Sequence, residues 1–338
     1  MSSIIKVLGI DLGKSCFHAI GRDQHGQVIF RKKFTRQTLL GYLAQLPPCT
    51  VAFEACGGAH WLGRYCQARG HVSALIPAQY VRPYVQGNKN DFIDAYAITE
   101  AVNRPHMRRV PVKSADAQVI GAQHRIRDGF ITERTRCMSR IGALLLEFGL
   151  SLPRGHATMK RLYAWLSQQK ADLCPALIGE LQVLHDHYNY LNTCIEEQDR
   201  KLKQQVRDND ICQRLKTIPG IGDITASLVV AEVGSAQAFK NGREFSAWLG
   251  MVPRQYSTGG KAHLGGISKR GNKRLRCLFV HGARSLLSRL DSYQGALYTW
   301  LRNLHSRKPF NVACLALANK LARIVCAVLK SGDVYQSA

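Results

Sequence analysis

The sequence predicts an α/β N-terminal domain with a mixed sheet, a central helical coiled coil, and a mainly α-helical, strongly basic C-terminal domain. Three observations predict it. Residues 4–76 alternate short apolar β-patterned runs with helical stretches. Residues from about 115 to 210 carry only helical periodicity. Beyond 211 the chain turns Gly-rich and cationic before a helical C-terminus rich in Ala, Leu and Arg. The boundaries that follow are 1–115, 116–210 and 211–338.

In chain order, residues 4–11 form a buried strand, residues 15–22 a second, Asp23 to Gly26 a turn, and residues 27–34 a third. These three make an antiparallel meander. Residues 38–46 form a helix stopped by Pro47 and Pro48, and residues 50–54 are a short apolar strand. Residues 61–69 are helical up to Gly70, residues 72–76 are the fifth strand, and residues 91–102 are a helix. Strands followed by alternating helix and strand give a mixed sheet.

Further on, Leu177, Leu181, Leu184, Tyr188, Leu191, Ile195, Gln198 and Leu202 recur by four and three. That is the a/d seam of a coiled coil, and it predicts pairing with a second copy in a dimer or tetramer. A long helix packing within its own chain gives the same pattern. Residues 217–223 form a tight turn between two helical stretches. Its Pro219, Gly220, Ile221 and Gly222 resemble the hairpin of helix-hairpin-helix modules, where glycine N–H groups and a following helix N-terminus meet a phosphate. An ordinary helix connector is the alternative.

Forty-seven Lys and Arg against twenty-three Asp and Glu give a formal charge of +24 over 338 residues. Such an excess calls for a polyanionic partner, nucleic acid before an anionic membrane surface. No apolar run approaches the roughly 18 residues of a spanning helix, so no membrane partner is expected. The N-terminus lacks a signal-peptide shape. Eleven cysteines without a CxxC pair or zinc-ligand spacing indicate reduced core thiols in the cytoplasm.

Two constellations carry chemistry. Asp11 and Glu54 each end a strand, and Asp91 and Asp94 lie three apart on one helix face. Acids at the ends of neighbouring strands meet at one sheet edge, and a flanking helix can add two more. Four carboxylates there repel unless divalent cations sit among them, and Mg²⁺ takes oxygen ligands together with phosphate oxygens. Two such ions stabilise the attacking and leaving oxygens of phosphoryl transfer. Separately, Asp11 can cap a turn and Asp91 can N-cap its helix. The second constellation runs from Gly250 to Asn272. It combines Arg254, Lys261, Lys269 and Arg270 with five glycines after Thr258, and Lys273, Arg274 and Arg276 follow. Between 261 and 330 only Asp291 is acidic. Glycine and hydroxyls among cations suit a phosphate backbone. Ser257 or Thr258, inside this basic loop, offers a hydroxyl nucleophile if a base or metal activates it.

Together the motifs resemble the bacterial insertion-sequence transposases of the DEDD type, kin of the Piv DNA invertase and of bridge-RNA-guided recombinases. The resemblance covers nearly the whole chain. It rests on Gly9-Ile10-Asp11, Phe53-Glu54-Ala55, Asn90-Asp91 with Asp94-Ala95, the turn from Ile218 to Gly222, and the segment from Gly250 to Gly271. It implies an RNase-H-like fold of the RuvC kind for the first domain and Mg²⁺ on the four acids. It also implies a serine nucleophile joined covalently to DNA, in a composite site built from two domains. It further implies a structured non-coding RNA that pairs with donor and target DNA, and a place at the bacterial nucleoid. Some members place the serine where this chain has Thr258, with Ser257 just before it; Ser257 is the first choice. A RuvC-like nuclease without a covalent intermediate needs only the acids. A non-catalytic nucleic-acid-binding protein needs only the basic half.

Overall fold

The computed structural model describes residues 4–88, 90–169 and 173–336. The chain divides into two units, Met1–Gln118 and Val119–Ala338. The helical stretch and the basic C-terminal region, assigned to separate domains from sequence, therefore belong to one unit.

The first unit contains β1 (Val7–Leu12), β2 (Cys16–Arg22), β3 (Val28–Thr35), α1 (Arg36–Gln45), β4 (Thr50–Glu54), α2 (Ala59–Gln67), β5 (Val72–Ile76), the single turn α3 (Ala78–Val81) and α4 (Asp91–Val102). The sheet order is β3-β2-β1-β4-β5. The meander β1-β2-β3 is antiparallel, while β4 and β5 run parallel to β1. A capping box between Thr35 and Thr38 starts α1. Asn90 caps α4 by accepting from the Phe92 N–H at 2.9 Å, which leaves the Asp91 carboxylate free of that duty.

The two faces of the sheet differ in side-chain size. Leu8, Ile10, Val51, Phe53 and Leu75 pack with Leu39, Leu43, Leu62 and Cys66 on the α1/α2 face. On the other face Gly9, Ala52 and Ala74 stand in register across three adjacent strands. That row of small residues lets α4 lie against the sheet, with Ala97, Ile98 and Ala101 packed there. A Cβ on Gly9 would fall 2.4 Å from Thr99 Cγ2 and 2.6 Å from the Ala95 carbonyl oxygen. The buried Arg22 of β2 fixes the far end of α4 through a 2.7 Å ion pair with Glu100 and by lying over the Tyr96 ring.

The second unit holds most of α5 (Ala115–Glu147), then α6 (His156–Lys160), α7 (Leu162–Gln168), α8 (Pro175–Arg207), α9 (Asp210–Lys216), α10 (Asp223–Val233) and α11 (Gly242–Trp248). A hairpin of β6 (Pro253–Thr258) and β7 (Lys261–Ile267) follows. The chain ends with α12 (Lys273–Leu287), α13 (Ala296–His305) and α14 (Phe310–Ser331). α5 and α8 lie antiparallel, joined by Arg127 to Asp199 at 2.5 Å, Arg134 to Asn192 at 2.8 Å and the Cys137 thiol to the Leu184 carbonyl at 3.1 Å. The predicted coiled-coil seam is occupied from within. Leu181 and Tyr188 share a core with Cys137, Ile141, Leu145, Met159 and Leu162, while Leu191, Ile195 and Leu202 are also buried in the single chain. The seam expected to face a partner is spent on the chain's own helices.

α14 corrects the expectation that no run is apolar enough to span a membrane, since by length and composition this helix is. Its Ala313, Leu317, Leu321, Val325 and Val328 belong to the core of the second unit, which accounts for that hydropathy without a bilayer.

Glycine size decides how α4 seats, and that can be measured. Gly9→Ala should destabilise the chain by about 1–3 kcal/mol in urea unfolding, the range for overpacking a filled core. Gly41→Ala, in α1 with nothing within 4 Å of the new Cβ, should instead stabilise by about 0.5–1 kcal/mol. Equal effects would refute the close-packing account.

Candidate active site

The four acids meet where the sheet ends. β1 and β4 are parallel neighbours, so Asp11 and Glu54 lie at the same carboxyl edge. α4 begins over that edge, with Asp91 and Asp94 in its first turn. Burial pushes the Asp11 carboxyl above the ordinary carboxylate range. Asp94, Asp91 and Glu54 push it further by repulsion, partly offset by His18. Burial and then Asp94 raise Glu54 as well. Asp11 and Glu54 thus both feel neighbouring carboxylates, a cost that a cation would relieve.

His18 was not foreseen. It stands opposite Asp11 in the β1–β2 ladder, nearly buried, with Nδ1 3.4 Å from Asp91 Oδ2 and its ring edge-on to Phe92 at 4.7 Å. One ligand atom each from Asp11, His18 and Asp91 lies within 4.8 Å of the others. A hairpin register pairing residue 11 with residue 18 was the available signal, since cross-strand partners share a face. Carboxylate oxygens with one imidazole nitrogen form a donor set that fits a divalent cation, and the raised Asp11 and Glu54 carboxyls show what a cation would relieve.

The Gly-rich segment, expected as a loop, is a β-hairpin. Gly259 and Gly260 both have positive φ, 55° and 76°, the geometry of a two-residue primed turn. Every residue of β6 is exposed, so little but the ladder itself holds the strand. Its base is anchored instead. The Gly250 and Gly271 backbones approach too closely for any Cβ, and the buried Arg276 donates to the Leu249 and Arg270 carbonyls at 2.8 and 3.2 Å. Arg276 is therefore a brace. Ser257 pairs with Ala262 and Thr258 with Lys261, so strand alternation sends the two hydroxyls to opposite faces. The Gln255 amide donates to Ser257 Oγ at 2.8 Å, on the serine's own face.

The remaining predicted contacts divide. Arg254, Lys261, Lys269, Arg270 and Lys273 are exposed. Arg274 is engaged by Asp128 at 2.5 Å. Gly220, at φ 78°, lies against α12, where a Cβ on Gly282 would sit 2.1 Å from the Gly220 oxygen. Its glycine serves packing. Gly222 is exposed, but Asp223 opens α10 and pairs with Lys216 at 2.8 Å, placing a negative charge where a phosphate was expected.

An acid edge on a mixed sheet in one unit and an exposed cationic hairpin in the other are features found in enzymes that act on nucleic acids. The comparisons specify the family. The profile described as Transposase IS116/IS110/IS902 family matches residues 212–299, and the IS110 DEDD transposase profile matches residues 8–149. The chain is 47% identical to the transposase for insertion sequence element IS1328 of Yersinia enterocolitica, over 98% of each chain. It is 44% identical to a probable family 20 transposase of Pseudomonas aeruginosa, over 97% of this chain and 98% of that one. Against the transposase for IS1111A of Coxiella burnetii the identity is 40%, covering 98% and 92%. The chain belongs to the IS110/IS116 family of DNA transposases.

Asp11 tests the electrostatics. Its raised carboxyl costs stability only where it is ionised. The cost is absent at acid pH, where Asp11 is protonated folded or unfolded, and complete above its raised value. Asp11→Asn should therefore raise the melting temperature in EDTA near pH 7 by roughly 2–4 °C, about 1 kcal/mol after solvent screening. The gain should vanish as pH falls below the carboxylate range. A lower melting temperature at pH 7 would show that Asp11 is not in a repulsive cluster.

Proposed function

We propose that this transposase cuts and rejoins DNA at the ends of an insertion element by metal-assisted phosphoryl transfer, with Ser257 as the nucleophile. The carrying observation is the convergence of Asp11, Glu54, Asp91 and Asp94 on one sheet edge. The strand order β3-β2-β1-β4-β5 supports an RNase-H-like reading of this unit. When bound there, Mg²⁺ would supply Lewis-acid stabilisation of the phosphoryl oxygens. The acids would hold it, with His18, 3.4 Å from Asp91, as a further donor.

In the proposed step Ser257 Oγ attacks phosphorus and loses its proton. The phosphodiester bond to the departing strand oxygen breaks, and that oxygen gains a proton. The serine–phosphate ester keeps the bond energy needed for rejoining. The exposed cations of the hairpin, Arg254, Lys261, Lys269 and Arg270, with Lys273 beyond it, line the phosphate backbone. Arg274 contributes once Asp128 releases it. As in the family it resembles, the reaction would draw on residues of both domains, supplied by different copies of the chain. The +24 formal charge suits polyanionic partners, and the resemblance to bridge-RNA recombinases and the Piv invertase adds to DNA a structured RNA that pairs with donor and target. The site of action is the nucleoid.

A purely hydrolytic nuclease is the second reading, favoured by one contact. Gln255 gives Ser257 a hydrogen-bond donor, and an amide is no general base. One experiment separates the two. Wild type incubated with element-end DNA, Mg²⁺ and co-purified RNA should leave a protein–DNA adduct that survives denaturant. Ser257→Ala should reduce it below detection, and Thr258→Val should keep it. The reverse pattern transfers the role to Thr258. Cleavage by wild type with no adduct establishes hydrolysis.

A further inference from the structure

Some cations of the second unit have acid partners, such as Arg274 with Asp128, Arg127 with Asp199 and Lys216 with Asp223. One cleft gathers three that do not. About 670 Å³ of space opens between the start of α11, α13 and α14, lined by Asn241, Arg243, Trp300, Asn319, Lys320 and Arg323, with no acidic residue on its wall. Among the described residues, none of Arg243, Lys320 and Arg323 forms an ion pair with an acid. Lys320 Nζ rests 4.2 Å from the centre of the Trp300 ring.

The convergence is built into the backbone. Gly242 lies so close to α14 that a Cβ there would be 3.1 Å from both Cα and Cβ of Arg323. This approach brings the Arg243 and Arg323 backbones together despite eighty residues of separation. Glu244 follows Arg243 in α11 but is not part of the lining, so the wall itself offers three cations and no acid, a surface an anion complements. Asn319 spends its amide on the Met251 carbonyl at 3.1 Å, which leaves its side-chain oxygen as an acceptor within the wall.

We propose that this cleft takes one unpaired nucleotide of a single-stranded nucleic acid. The three cations hold its phosphate, and Trp300 receives its base as Lys320 swings from the ring to the phosphate. A ring beside cations is the pairing that single-strand sites use, because any base offers a π face. A duplex keeps its bases stacked inside and can present only backbone to a concave site of this size. The proposal rests on the chain acting on nucleic acid and is independent of which acids or hydroxyl perform the chemistry.

The test is binding, with catalysis left out. The full chain is titrated with labelled single-stranded DNA and RNA oligonucleotides and with a duplex of the same length, at several salt concentrations. Arg243→Ala/Lys320→Ala/Arg323→Ala should weaken single-strand binding at least tenfold and flatten its salt slope by about 2, roughly 0.7 for each lost contact. Duplex affinity should change much less. Arg136→Ala/Arg140→Ala/Lys160→Ala removes equal charge from exposed positions elsewhere in the unit and should have the smaller effect on single strands. Trp300→Phe keeps an aromatic in the wall. It should remove the single-strand-induced quenching of tryptophan emission contributed by Trp300 while leaving the melting temperature near wild type. Equal losses for single strand and duplex, equal losses in the control triple, or unchanged quenching in Trp300→Phe would each overturn the assignment. Loss of the covalent adduct in Ser257→Ala bears on the catalytic reading alone.

Discussion

The candidate active site depends on one contact, the seating of α4 on the sheet at Gly9. Asp11 and Glu54 are placed by strand pairing alone. Asp91 and Asp94 are not, because they ride on a helix whose height above the sheet is a packing variable. The row Gly9, Ala52 and Ala74 sets that height by offering almost no side chain. Thr99 and the Ala95 carbonyl occupy the space a Cβ would need. Arg22, held by Glu100 and Tyr96, then fixes the direction of the helix. The Arg22–Glu100 pair at one end of α4 and the acids at the other are linked through a helix of twelve residues.

This arrangement concentrates negative charge in a chain that is otherwise strongly positive. The two polarities have separate tasks. In the proposed reading, cations gather polyanionic substrate and the acid edge holds a divalent ion. Burial and mutual repulsion raise the Asp11 and Glu54 carboxyls, at a cost in stability when they are ionised. The hairpin shows a similar compromise. Its strands are exposed on both faces, and only its base is tied down by Arg276 and two close-packed glycines. A surface left so bare gains partners when nucleic acid lies along it.

Much of this was legible in the sequence, for identifiable reasons. The strands Thr50–Glu54 and Val72–Ile76 and the helix Asp91–Val102 have the bounds their apolar patterns give. Short buried strands flanked by Pro and Gly leave little choice of boundary. The four acids stand out in the sequence because each lies at or near an element end. His18 was hidden because its relation to Asp11 is a matter of hairpin register. The β6–β7 hairpin was hidden because Gly and charged residues masked its alternation, although Gly259-Gly260 between polar strands was a usable turn signal. The seam of α8 was visible, yet periodicity reports that a face is covered and not by which chain. Arg243, Trp300, Lys320 and Arg323 were beyond reach, since only the folded core brings them together.

The central claim is that the acid edge holds a divalent cation. Electron paramagnetic resonance of Mn²⁺ titrated into the full-length chain measures it directly. Wild type should bind Mn²⁺ tightly, Glu54→Gln and Asp94→Asn should each weaken binding at least tenfold with circular dichroism unchanged, and Mg²⁺ should compete. Equal Mn²⁺ affinity in wild type and in both folded variants would contradict the account.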